Sequence, residues 1–282
     1  MSAVKLDTGT VSPGPEALVD LAAYPIDRLD SADGRALVAR CRAAFGQSGV
    51  LALNGFLTPE ATALLAAEAR RLEGAAHHYR TDHTVYFDPP DESVAPEHPR
   101  RRTVLTDKGN VPYDLIPRSA LLRRLYEWDA TLAFVAAVLD EPKLLRHPDA
   151  MAALNINVHG EGQQLGWHFD RAEFAVTLSL QENEAGGIFE YAPNVRSAAD
   201  ENYPDVAGIL AGAGVAVREL QAPPGTLSLF RGHHSLHRVT PGRGPRKRLM
   251  AALSYVSDPN TTFSAYARGL FYGREIALGE IP

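Results

Sequence analysis

Apolar positions along this chain follow two different periods, and the change falls near residue 150. In the first part, Leu37, Val38, Cys41 and Phe45 recur at helical spacing within Asp33 to Gln47, which predicts a helix. Thr58-Pro59-Glu60 reads as the start of a second helix running to about Arg71. Thr supplies the capping oxygen, and Pro fills a first-turn position where its missing N–H is no loss. Val50-Leu51-Ala52-Leu53 between them reads as a short strand, and a third helical region spans about Ser119 to Leu139. The stretch from Thr84 to Pro117, rich in Pro, Asp and Arg, reads as an extended excursion or lid.

Beyond residue 150 the pattern becomes short and alternating. Leu154 to Val158, Phe174 to Leu180, Gly187 to Tyr191, Val215 to Leu220, Thr226 to Phe230 and Leu249 to Val256 are strand candidates. Gly186-Gly187, Pro223-Pro224-Gly225 and Pro241-Gly242 punctuate them, and Asn202 to Gly212 reads as a helical insertion. Serial short strands with such turns predict an α+β, mainly β fold: a double-stranded β-helix (jelly roll) core with a helical N-terminal layer. The expected organisation is a flexible N-terminus over residues 1–15, then one unit over 16–282. Residues 16–149 supply the helical layer and lid, and 150–282 the jelly-roll core.

Composition narrows the function classes. The 282 residues suffice for a sizeable core, and 45% hydrophobic with 22% charged residues is ordinary for a globular protein. The net charge of -6 argues against a nucleic-acid binder that needs a broad basic surface. No apolar run is long enough to span a membrane, and no secretory signal is evident at the N-terminus. The single Cys41 excludes an intrachain disulfide and fits a reducing compartment. The expectation is a cytoplasmic protein acting on a small molecule, without nucleic-acid or membrane partners.

The candidate chemistry lies in the second half. In Gly166-Trp167-His168-Phe169-Asp170, strand alternation puts His168 and Asp170 on one face and Phe169 on the other. His233, His234 and His237 compete for a third position. His237 is favoured because His237-Arg238-Val239-Thr240-Pro241 has the register of a ligand at a strand mouth, followed by a turn and an arginine-bearing strand. Two imidazoles and one carboxylate occupy one face of an octahedral ion and leave positions open, the arrangement suited to non-haem Fe(II). Arg248 opens an apolar strand and suits a bidentate grip on a carboxylate. In Asn155-Ile156-Asn157-Val158-His159 the polar residues share a face and lead towards His168, which makes Asn157 and His159 pocket candidates. Arg80, Arg196 and Trp167 are further candidates for substrate contact.

The pattern from Asn155 to Val256 resembles the Fe(II)/2-oxoglutarate-dependent oxygenase superfamily. The resemblance implies that His168, Asp170 and His237 ligate iron, that Arg248 pairs with the distal carboxylate of 2-oxoglutarate, and that Asn157 contacts this cosubstrate. O2 is the second cosubstrate. A narrower likeness rests on Leu165 to Leu178, Gly186-Gly187-Ile188-Phe189-Glu190-Tyr191, Phe230-Arg231-Gly232 and Leu253-Ser254-Tyr255. These resemble the hydroxylase relatives of the BesD-type free-amino-acid halogenases. The halogenases have glycine where this chain has Asp170, and a carboxylate there fills the coordination position that chloride needs. The implied activity is hydroxylation of an unactivated C–H bond in a free amino acid or derivative. Desaturation, cyclisation or halogenation on the same scaffold is the alternative. A cupin-like metal or small-molecule binding protein without turnover is the non-enzymatic reading.

Overall fold

The computed structural model describes residues 13–213 and 216–278. Most of the expected loose N-terminus, residues 1–12, lies outside the described residues, as does Val215 of the expected Val215 to Leu220 strand.

Two N-terminal helices form as their caps dictate. Ser31 accepts from Gly34 N and opens Ala32–Ser48, and Gly49 in the left-handed region (φ 69°) closes it. Thr58 Oγ1 accepts from Ala61 N at 3.1 Å and opens Pro59–Leu72. The third predicted helix is two, Leu121–Glu127 and Asp129–Leu139, because Trp128 between them is extended.

The strands form a large antiparallel sheet of seven and a smaller one of four. The large sheet runs in the order Val50–Leu53, Leu227–Phe230, Ala175–Gln181, Arg248–Leu253, Leu154–His159, Val104–Val111, His77–His83. The small sheet runs Arg218–Leu220, Phe189–Ala192, Leu236–Val239, Leu165–His168. The mainly β expectation holds. The excursion expected over Thr84 to Pro117 does not hold as a single loop. His77–His83 and Val104–Val111 pair with each other, and Gly109 to Val111 pair with Leu154–His159, so both strands extend the large sheet. Only the segment between them is irregular. Its Pro- and Arg-rich composition masked the alternation of Thr106, Lys108 and Asn110 just beyond it.

Alternation gives the large sheet two unlike faces. Val111, Leu154, Ile156, Val158, Val176, Leu178, Leu227, Leu229, Leu249 and Ala251 join Leu37, Phe45, Leu65 and Phe134 of the helices in one apolar cluster. The opposite face carries Lys108, Asn110, Asn157, His159, Arg248 and Met250. Register places Arg248 beside His159, Met250 beside Asn157, and Asn110 beside Asn157. A polar sheet face in the interior is not a core-forming surface; it needs a polar occupant.

The C-terminal helix Ala265–Tyr272 packs against His77–His83 and Val104–Val111. Asp149 anchors it: Oδ1 accepts from Met151 N, while Oδ2 accepts from Phe263 N and from Arg268 Nη2 at 2.6 Å. Burial alone would raise the Asp149 pKa, but these donors and the Arg268 charge hold it below the ordinary carboxylate value. The contribution is therefore complete above the unfolded carboxylate pKa and is lost as pH falls through the lower folded value. Asp149→Asn breaks a buried charge pair and should cost about 3 kcal/mol, or roughly 5–10 °C in Tm. Thermal melts of both proteins should show this gap at neutral pH and should show it narrowing as pH falls below the ordinary carboxylate value.

Candidate metal centre

The small sheet places the two histidines. His168 ends Leu165–His168, and His237 lies directly opposite it in Leu236–Val239, with ring centroids 4.0 Å apart. Asp170 lies just past the strand end, where its backbone N donates to Gly232 O at 3.1 Å. That bond draws the carboxylate to the mouth of the histidine pair. Asp170 Oδ1 stands 3.6 Å from His168 Nε2 and 3.5 Å from His237 Nε2. Donors that share one first-row ion at about 2.1 Å each lie within roughly 4 Å of one another. These two separations meet that condition, and the three residues form a group able to hold an ion.

The local backbone fixes which nitrogen faces inwards. His168 Nδ1 lies 2.8 Å from Gly166 O, and His237 Nδ1 lies 2.9 Å from Ser235 O. A carbonyl only accepts, so each Nδ1 carries the proton and each Nε2 presents a lone pair. Aromatic rings hold the imidazoles in place: Phe230 at 4.8 Å and Phe189 at 5.5 Å from His237, and Phe87 at 5.3 Å from His168. Burial, then the His237 charge, lowers the His168 pKa to about 4, so this imidazole is neutral at neutral pH. Burial would raise the Asp170 carboxyl, but the two histidines outweigh it and hold the group below the usual carboxylate range. The neutral His168 lone pair and the inward Nε2 of His237 thus face one carboxylate whose Oδ2 is buried and unpartnered. Lone pairs facing an anion without a proton between them repel, and a bound cation relieves that repulsion. The donor set fits a divalent metal.

Gly232 makes the carboxylate position possible. A Cβ there would fall 1.7 Å from Asp170 Oδ2. Its backbone lies outside the positive-φ set, so alanine is acceptable to the chain and the clash is with the carboxylate alone.

The polar face of the large sheet supplies a second cluster. Arg248 has no carboxylate partner among the described residues; Nη1 is unpartnered and Nη2 meets only Met250 Sδ, at 3.7 Å. Both ring nitrogens of His159, buried beside it, are also unpartnered. Burial, then the Arg248 and Lys108 charges, lowers the His159 pKa well below its ordinary value, so the ring is neutral. Lys108 meets Asn157 Oδ1. Buried cations and donors without an anion fit a carboxylate-bearing guest.

The sequence-derived candidates therefore separate into two groups. His168, Asp170 and His237 converge, and Arg248, His159 and Asn157 share the polar sheet face. Arg80 is not brought there: alternation puts it on the other face from Tyr79, 69% exposed and paired with Asp107. Trp167 points away from the ligands into a separate apolar cluster, under Arg238 at 4.7 Å. Arg196 lies 4.0 Å over the Phe169 ring and is tied to His233 O and Glu201, a bracing position outside the ligand face. Sequence reasoning missed Gly232 and Lys108. Only the alternation of Thr106, Lys108 and Asn110 signalled the latter.

Comparison with known proteins agrees with this geometry. The fold resembles that of solved proteins described as 2-oxoglutarate- and Fe(II)-dependent oxygenases. The family profile described as Halogenase D (HalD) matches residues 34–267, and the chain belongs to that family. Similar solved structures include the non-heme alpha ketoglutarate dependent epimerase SnoN from nogalamycin biosynthesis, with TM-score 0.54, 15% identity, and 79% of this chain and 83% of that chain covered. AviO1 from Streptomyces viridochromogenes Tue57 has TM-score 0.52, 20% identity, and coverage of 80% and 97%. HygX from Streptomyces hygroscopicus, solved with nickel and 2-oxoglutarate bound, has TM-score 0.51, 14% identity, and coverage of 77% and 85%. No curated protein matches the chain.

Gly232→Ala should weaken divalent-metal binding about 10–100-fold by displacing the Asp170 carboxylate. Metal titration followed by calorimetry, with circular dichroism as the fold control, measures this. Undiminished affinity would mean that Asp170 is not a ligand.

Proposed function

We propose that this protein is an Fe(II)- and 2-oxoglutarate-dependent dioxygenase that hydroxylates an unactivated C–H bond of a small polar metabolite, a free amino acid or derivative. The observation that carries the reading is the Asp170 carboxylate set between two inward Nε2 lone pairs. The two antiparallel sheets support a double-stranded β-helix scaffold, and the apolar cluster shared by helices and large sheet supports one unit over residues 16–282. No helix among the described residues is long and apolar enough to cross a membrane. The buried, solitary Cys41 agrees with a cytoplasmic setting.

His168, Asp170 and His237 would hold the iron, and Arg248 would hold the distal carboxylate of 2-oxoglutarate through a two-pronged guanidinium contact. When bound, Fe(II) with 2-oxoglutarate supplies the O2 activation that oxidises a C–H bond, with succinate and CO2 as coproducts. The chain does the rest by geometry. The Nδ1–H contacts to Gly166 O and Ser235 O fix the imidazole planes. Phe87, Phe189 and Phe230 wall the histidines and keep water from them. His159, neutral, offers a donor beside Arg248 without adding repulsion between cations. Which C–H bond reacts then follows from which one the pocket holds nearest the metal.

Membership of a family named for halogenation raises a second outcome, and the similarity to the epimerase SnoN raises a third, epimerisation. The Asp170 carboxylate favours hydroxylation over halide transfer because both require the same coordination position. Aerobic incubation with Fe(II), 2-oxoglutarate, chloride and a panel of free amino acids, followed by product mass and chiral chromatography, separates them. The expected result is a gain of one oxygen with stoichiometric succinate; a chlorinated product, a loss of two hydrogens, or an epimer of unchanged mass would reject hydroxylation. Asp170→Ala should cut succinate formation at least 100-fold. Arg248→Ala should raise the 2-oxoglutarate KM at least tenfold, leaving the amino-acid KM within about threefold.

A further inference from the structure

Lys108 belongs to the polar cluster, yet neither the metal contacts nor the cosubstrate contact assigned above uses it. It lies on Val104–Val111, one position before Gly109, which pairs with Val158; continuing that register places Lys108 across from His159 and in one row with Arg248. Lys108, His159 and Arg248 thus line three adjacent strands on the polar face. Lys108 forms no ion pair among the described residues, and Asn157 Oδ1 is its one hydrogen-bond acceptor there. An ammonium has three donors, so two remain unused. Lys108 and Arg248 are both half-buried, so neither is sealed from a guest on this face. Burial, then the Arg248 charge, lowers the Lys108 pKa to about 8, while Asp170 acts in the opposite direction. The lysine is therefore still mainly protonated at neutral pH and senses both ends of the site.

A charge inventory shows what the cavity lacks. Lys108 and Arg248 contribute two positive charges, Asp170 one negative, and His159 none; Glu182, the other anion that Arg248 senses, is exposed. A divalent metal and the dianionic cosubstrate cancel each other. One positive charge remains, enclosed and unpaired, which is a costly arrangement. Arg248 suffices for the far end of the cosubstrate. The remaining cation requires another anion, and both possible sources are carboxylates: the cosubstrate itself or the substrate.

We infer that Lys108 is a specificity-determining residue that binds the carboxylate of the substrate, so that the enzyme takes free carboxylic acids and rejects their amides. This rests on the oxygenase reading above and adds the group by which the substrate is held. Lysine suits the role as a compact point charge on a flexible stem, able to follow a carboxylate that Arg248, packed against Met250, does not reach. Asn157 orients the ammonium through its side-chain oxygen.

Oxygen-free calorimetry on Fe(II)-loaded protein tests this without turnover. Wild type and Lys108→Met are titrated first with 2-oxoglutarate. Each binary complex is then titrated with a panel of the twenty free amino acids and with the same panel as C-terminal amides. The expected result is 2-oxoglutarate affinity within threefold of wild type in Lys108→Met, which also shows that the variant is folded. Affinity for the acids should fall at least tenfold, and the wild-type preference for acid over amide should disappear. The inference is overturned if Lys108→Met loses 2-oxoglutarate binding instead, if it loses neither ligand, or if wild type binds no acid of the panel or binds acids and amides alike. Failure of wild type to bind 2-oxoglutarate at all would instead remove the oxygenase reading beneath it.

Discussion

Three metal-ligand donors brought together at one strand end are the constraint on which the rest of this structure depends. His168 and His237 turn their protonated Nδ1 atoms to backbone carbonyls and their Nε2 lone pairs towards Asp170. A protein that folded for stability alone would place a proton or a basic side chain among them. Maintaining the arrangement takes direct strand pairing of the two histidines, a backbone bond from Asp170 to Gly232, and a glycine where any Cβ would strike the carboxylate. The cost of burying these groups is met by the apolar contact of six strands of the large sheet with the N-terminal helices.

The same separation of tasks runs through the large sheet. One face joins the helices in the main apolar cluster, and the other carries cations, amides and an imidazole with unmade hydrogen bonds. Unpartnered buried polar atoms are uncommon in folded proteins, and their concentration around Arg248 and His159 fits the proposed binding site. Neutrality of His159 is part of that design, since a third cation beside Lys108 and Arg248 would add repulsion where a guest must bind. The metal donors lie on the small sheet and the polar row on the large one, so the two sheets divide the work.

Much of the centre was legible in the sequence because strand alternation is a strong rule. His168 and Asp170 had to share a face, and so did Asn155, Asn157 and His159. The helix start at Thr58 was legible from capping chemistry, whereas the Ser31 cap was not read. Arg80 was misjudged for the same reason that Lys108 was missed. Reading residues 84–117 as one excursion hid the hairpin of His77–His83 with Val104–Val111, and with it the alternation that turns Arg80 outwards and aligns Lys108 with Arg248. Trp167 adjoins a ligand in sequence, yet the strand sends it to the opposite face. Gly232 carries no signal of its own; its importance exists only once the turn containing it meets Asp170. Contacts between segments far apart in sequence are set by topology, which local patterns do not encode.

The account makes its most direct commitment about the joint binding of metal and cosubstrate. Anaerobic titration of the metal-free protein with Fe(II) and 2-oxoglutarate, followed by visible absorption, measures that binding without reference to any substrate. The account predicts a charge-transfer band of the iron–2-oxoglutarate chelate that saturates at one equivalent of each per chain. A folded protein that gave no such band would contradict it, and would leave the His168, Asp170 and His237 group without the ion its geometry calls for.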